Sequence, residues 1–200
     1  MGLFAFATNE SSKTVAYRGQ VIDDPEAYAI YASLLPEDSW VKRVHPHVIL
    51  QRETVMDIHC TFPRETQQEL LLRYLPDEWR PANRPHDAWR SVIEHFRMEN
   101  AATRVLRPSP MNVSYELAER SKLERVMSEA RVWKGAFEAA YPGAQGYLAL
   151  SAIGFNEQKT RAIVYLEHHC GPRCAGGTNE GLEKHGGRWR QVKVNCVWTT

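Results

Sequence analysis

The stretch Thr160-Arg161-Ala162-Ile163-Val164-Tyr165-Leu166-Glu167-His168-His169 decides the fold. Side chains alternate across an extended strand, so Ala162, Val164, Leu166 and His168 share one face, and Ile163, Tyr165, Glu167 and His169 the other. Both faces are largely apolar, which predicts a central strand. Around it the chain reads as a meander. Tyr147–Phe155 is a preceding strand that turns at Asn156-Glu157-Gln158-Lys159. Thr178–Lys184 returns, His185-Gly186-Gly187 is a hairpin turn, and Arg188–Trp198 closes the sheet.

The upstream half is mixed. Asp24-Pro25 is a helix start, because Asp accepts from free N–H groups and Pro suits the first helical position. Ala27, Ile30, Tyr31 and Leu34 follow at helical spacing, and Pro36 stops the segment. Val48–Ile58 reads as a strand and Pro63–Leu75 as a short helix. Asp87 caps a helix with Trp89, Val92, Ile93 and Phe96 on one face. Arg104–Leu106 and Val113–Leu117 are short strands, and Ser121 opens the longest helix, which ends at Tyr141-Pro142-Gly143. The expected class is α+β, an antiparallel sheet with helices packed on one face. Residues 8–200 are expected to form one domain, with an N-terminal part to residue 110 and the long helix plus meander after it.

The chain has 200 residues, 43% of them hydrophobic, and a formal net charge of +1. Neither sign of charge forms a long run, so no nucleic-acid groove or polybasic membrane patch is expected. No apolar run approaches the roughly 20 residues of a membrane span. Gly2-Leu3-Phe4-Ala5-Phe6-Ala7 is apolar, ends in Ala-x-Ala and gives way to polar Thr8–Lys13. That is how the tail of a secretory signal peptide reads, with residues 1–7 as its remnant. The expected location is extracytoplasmic, periplasmic or secreted, and cytoplasmic if that stretch is an ordinary strand.

Four cysteines fit an oxidising compartment and allow three pairings. The preferred set is Cys170 with Cys174 and Cys60 with Cys196. In the loop-entropy model the short loop gives about 2 kcal/mol and the long one about 5.

Chemistry concentrates in Glu167-His168-His169-Cys170-Gly171-Pro172-Arg173-Cys174-Ala175-Gly176-Gly177. Thiolates and imidazoles are ligands that zinc or copper favours, which makes His168, His169, Cys170 and Cys174 metal candidates. Alternation, however, sends the two histidines to opposite faces. A disulfide is the competing state, and redox-active thiols a third, since Arg173 beside Cys174 would lower a thiol pKa. Glu167, His169 and Glu183 are acid–base candidates if a cavity receives them. His45 and His47 are a second possible ligand pair, and His59-Cys60 is a weaker one. Glu94, His95 and Glu99 are expected on a solvated helix face.

Ser151…Gly154-Phe155-Asn156, Cys170-Gly171-Pro172-Arg173-Cys174-Ala175-Gly176-Gly177, Leu182-Glu183-Lys184 and Gly187-Arg188-Trp189 together carry a resemblance. Over residues 141–198 the chain resembles a group of hypothetical, exported bacterial proteins with this pattern. The resemblance implies export; it implies no activity and assigns no catalytic residue. The helices followed by a Gly-x-Trp meander are also similar in outline to the cone-shaped NTF2-like fold.

No Gly-x-Ser-x-Gly elbow, His-Glu-x-x-His helix, P-loop or Gly-x-Gly-x-x-Gly turn occurs. The leading expectation is an exported, disulfide-stabilised domain that binds a small molecule or a protein partner, with no cofactor. The alternatives are a metal- or thiol-dependent enzyme at the His-His-Cys-x3-Cys loop and an NTF2-like pocket enzyme.

Overall fold

The Asp24 carboxylate opens the first helix as expected: Oδ1 accepts the Glu26 N–H at 3.0 Å, with Pro25 in the first turn. The computed structural model of the chain describes residues 19–44, 47–55, 87–128, 133–171 and 173–199. In chain order its elements are β1 (Gln20–Val21), α1 (Pro25–Leu34), a 3-10 turn (Leu35–Glu37), α2 (Ser39–Val44), β2 (Val48–Gln51), α3 (Asp87–Glu99), β3 (Arg104–Val105) and β4 (Tyr115–Ala118). There follow α4 (Arg120–Ser128), α5 (Trp133–Ala140), β5 (Tyr147–Leu150), β6 (Gly154–Phe155), β7 (Arg161–Gly171), β8 (Cys174–His185) and β9 (Arg188–Thr199).

The class is α+β. Among the described residues, seven strands form one sheet in the order β4-β2-β5-β7-β8-β9, with β6 also paired to β7, while β1 and β3 make a separate parallel pair. The expected antiparallel meander is present from β5 to β9. Beyond β5 the pairing changes: β2 runs parallel to both β4 and β5, so the sheet as a whole is mixed.

Helices cover both faces of this sheet rather than one. On the first face Leu50, Leu148 and Val164 pack beneath Ile30, Tyr31 and Leu34 of α1 and Trp40 of α2. On the second, Ile49, Ala149 and Ile163 pack beneath Val92 and Phe96 of α3, Leu123 of α4 and Phe137 of α5. The reason lies in the sequence. All four residues of β5 are buried, and β7 is apolar on both sides, so either face left bare would expose a row of aliphatic groups. Each such side chain fully buried contributes about 1.5–3 kcal/mol.

The expected strand Tyr147–Phe155 is divided into β5 and β6. Ser151 Oγ accepts the Tyr165 N–H, and Tyr31 donates its hydroxyl to the Ser151 carbonyl at 2.8 Å. Asn100 then takes both the N–H and the carbonyl of Ala152. These side chains replace the ladder at the break, so the backbone polar groups stay satisfied. Gly154 sits directly under α3; a Cβ there would collide with Phe96, so only glycine permits this approach.

The expected long helix is described over α4 and α5, and residues 129–132 lie outside the described residues. The expected segments Pro63–Leu75, Met56–Ile58, His45-Pro46 and His59-Cys60 lie outside the described residues, as does the apolar N-terminal stretch. Cys196 lies on β9, with its side chain outside the description. No helix among the described residues is long and apolar enough to cross a membrane.

Candidate functional site

Strand alternation places Tyr165, Glu167 and His169 in a row on the second face of β7, at the end nearest Cys170. Glu167 is buried, its side chain only 8% exposed, and it accepts two hydrogen bonds. The Tyr165 hydroxyl donates to Oε2 at 2.9 Å, and His169 Nε2 lies 2.9 Å from Oε1. Trp198, brought alongside by β9, donates its indole N–H to the Tyr165 oxygen at 2.6 Å. The result is a chain of donors, indole to phenol to carboxylate, with an imidazole on the carboxylate's other oxygen. Burying a carboxylate is costly unless hydrogen bonds compensate for lost water, and each Glu167 oxygen has a partner here.

Gly177 makes this chain possible. It pairs with Glu167 on one side and Trp198 on the other, and a Cβ built on it would collide with the Tyr165 hydroxyl and the Trp198 indole nitrogen. The bare backbone is the floor on which the two aromatic groups meet.

His169 is oriented twice. Its register partner on β5 is Tyr147, and the two rings stack with centroids 4.7 Å apart and planes at 13°. The carboxylate on Nε2 assigns the hydrogen to that nitrogen and leaves Nδ1 as an acceptor in the neutral ring. Nδ1 has no hydrogen-bond partner among the described residues, and the side chain is 24% exposed. Burial, with the Glu167 charge adding to it, pushes the Tyr147 hydroxyl up to about 12, so the stacked phenol stays neutral.

The other candidates separate. Glu183 lies on the same face of β8 but at its far end, opposite Arg161, which donates to it at 2.9 Å. It takes no part in the Glu167 group. His168 points to the first face and stacks on Trp40 at 5.6 Å and 17°. Cys170 and Cys174 form a disulfide, with Cα atoms 5.0 Å apart, as the sequence suggested. With the sulfurs bonded and the histidines divided between faces, the four do not converge on one ion. Among the described residues no three His, Cys, Asp or Glu side chains come together as a metal group. His47 lies beside Glu116 and Ser114.

His95 is not simply solvated, as expected for its helix face: Nδ1 accepts the Phe155 N–H at 3.1 Å and ties α3 to β6. An open depression of about 720 Å³ is lined by Arg52, Pro108, Ser109, Pro110, Tyr115 and Leu117, none of them a candidate from the sequence.

Two features escaped sequence reasoning. The Tyr165-x-Glu167-x-His169 spacing was readable, but the contribution of Trp198 depends on a strand register. A carboxyl pair, Glu53 with Glu119, was also missed. Desolvation raises Glu53, while the hydrogen bond from Glu53 lowers Glu119. Glu53 Oε2 accepts the Arg120 N–H at 2.8 Å, so this pair secures the start of α4.

Comparison with known proteins finds no matching family model, no matching curated protein and no matching solved structure, so the site is read from its own geometry.

Proposed function

We propose that the chain is an exported domain that binds a small molecule at the Cys170 end of β7, with His169 as the polar contact. One observation carries the reading: a buried carboxylate holds the imidazole by Nε2 and leaves Nδ1 without a hydrogen-bond partner among the described residues, on a side chain that is 24% exposed. A neutral histidine fixed in this way accepts a hydrogen bond, so the fitting ligand presents a donor such as a hydroxyl or an amine N–H. The Tyr147 ring, stacked on the imidazole, limits its rotation. Export is supported by the Ala5-x-Ala7 ending and by a disulfide in the chain.

The test is ligand-observed NMR on the full chain with a mixture of small hydroxy and amino compounds. Saturation transfer is expected with the native protein and not with His169→Ala of unchanged circular dichroism. Equal transfer to both proteins places the binding elsewhere and ends the proposal.

A second reading draws on the same hydrogen bond. A carboxylate-oriented imidazole is also suited to general acid–base catalysis, Nδ1 taking a proton from a bound hydroxyl and returning it. Turnover of a ligand found in the first experiment, falling in Glu167→Gln by much more than its binding does, would separate catalysis from binding.

A further inference from the structure

The Cys170–Cys174 bond closes a turn that is already closed. Paired residues run along β7 and β8 from Arg161 with Glu183 to Gly171 with Cys174, and the bond joins neighbours at the tip of that hairpin. It spans the shortest of loops, where a disulfide restrains the unfolded chain least. Opening it removes no strand pairing.

Its two cysteines also differ in setting. Cys174 is exposed and follows the exposed Arg173. Cys170 is half-buried and packs against the core of the first face. Cys170 Sγ lies 3.1 Å from the Cys174 carbonyl oxygen, an acceptor in place for a thiol S–H.

We propose that this disulfide is an exchange site that oxidises a dithiol substrate. The substrate thiolate attacks the accessible Sγ of Cys174; the Cys170–Cys174 bond breaks and Cys170 leaves as a thiolate, which takes up a proton. The mixed disulfide on Cys174 is then attacked by the second substrate thiol, which releases the Cys174 thiol. Two electrons and two protons pass to the protein, and the substrate leaves as a disulfide. Attack is directed to Cys174 because exchange requires access along the sulfur–sulfur axis, and the neighbouring Arg173 cation favours approach of a thiolate. The dithiol is a small molecule or a pair of cysteines in an extended peptide; the chemistry is shared. This activity goes beyond ligand binding at His169 and does not depend on it.

The oxidised full chain is incubated with dithiothreitol or with an unstructured peptide carrying two cysteines. The reaction is quenched in acid, and the peptides around residues 170 and 174 are identified by mass spectrometry. Opening of the bond with unchanged circular dichroism is the expected result, and the faster of the two probes identifies the source. Attack position is read from single variants exposed to glutathione disulfide. Cys170→Ser is expected to form its adduct on Cys174 at least about tenfold faster than Cys174→Ser forms one on Cys170. Should Cys170→Ser not fold, the adduct position on the wild-type chain during reduction by glutathione gives the same answer. A bond that resists both dithiols until the protein unfolds, or equal reactivity of the two sulfurs, overturns the proposal. His169→Ala is expected to keep the exchange while losing the ligand, which keeps the two readings apart.

Discussion

Oε1 of Glu167 lies 2.9 Å from Nε2 of His169, two residues along one strand, while Oε2 of the same carboxylate accepts the Tyr165 hydroxyl. Extended backbone brings i and i+2 to the same side, and here that proximity is fixed by a buried acceptor that needs both donors. In Glu167→Gln one of them faces an amide N–H in place of an oxygen. We expect a loss of about 1–3 kcal/mol in urea unfolding. Nitrogen NMR of the His169 ring should change from one tautomer to a mixture. Unchanged ring shifts would mean that the carboxylate does not set the tautomer.

Gly177→Ala tests the floor beneath the aromatic pair. The added methyl group has no space beside Tyr165 and Trp198, and overpacking of this kind costs about 1–3 kcal/mol. Chemical denaturation should show that loss, whereas Gly135→Ala, where a Cβ meets nothing within 4 Å, should show no clash. Equal midpoints for Gly177→Ala and the wild type would contradict the close contact.

The Tyr147 hydroxyl gives an alkaline signature. Folding raises its pKa from 10.0 to about 12, so the folded state retains a proton that the unfolded state releases first. The stabilisation is therefore complete below pH 10 and lost as pH climbs through about 12. A shift of this size is worth roughly 3 kcal/mol. Buried Tyr28, Tyr31 and Tyr141 are raised by desolvation too, so the whole protein weakens in this window. Urea midpoints measured from neutral to alkaline pH should fall less steeply in Tyr147→Phe. Parallel curves would mean that this hydroxyl is solvated.

Glu26 gives the opposite signature. The Lys184 ammonium bonded to it at 2.8 Å, with the Trp189 N–H on its other oxygen, holds its carboxyl below the ordinary 4.5. The stability it contributes is present above 4.5 and falls away as acid protonates it. Glu26→Gln should therefore have a flatter acid limb in thermal unfolding. A limb as steep as that of the wild type would show that α1 and the β8–β9 hairpin are not coupled through this group.

The readable features were local ones. Asp24-Pro25 announced α1 because cap and first turn are adjacent in sequence. Gly186 and Gly187, with φ of 56° and 79°, marked the β8–β9 turn for the same reason. The alternation in β7 placed Glu167 and His169 on one face and separated the two histidines in advance; that the two pair is seen only in the structure. What could not be read depends on distant partners. The break at Ser151 is made by Asn100 and Tyr31, and no property of Tyr147–Phe155 alone reports it. Parallel pairing of β2 with β5 leaves no mark in either strand, since the apolar pattern of each suits several neighbours. The two-sided apolar character of β7 announced a central strand, but helices were expected on one face only, and the helices that cover the second depend on distant packing.

Strand β5 is a seam, parallel to β2 on one side and antiparallel to β7 on the other. From β7 to β9 each strand meets its neighbour through a tight turn, whereas Ile49 waits for Tyr147, about half the chain away. Contacts that close long stretches lose chain entropy before they gain energy, so they form late. The hairpins should therefore gain amide protection first in pulsed hydrogen exchange, with β2 and β4 docking afterwards. Synthesis runs the other way: a ribosome releases β2 and β4 long before β5 exists to receive them. The nascent chain must hold β2 and β4 with no sheet partner but each other until Tyr147–Leu150 has emerged.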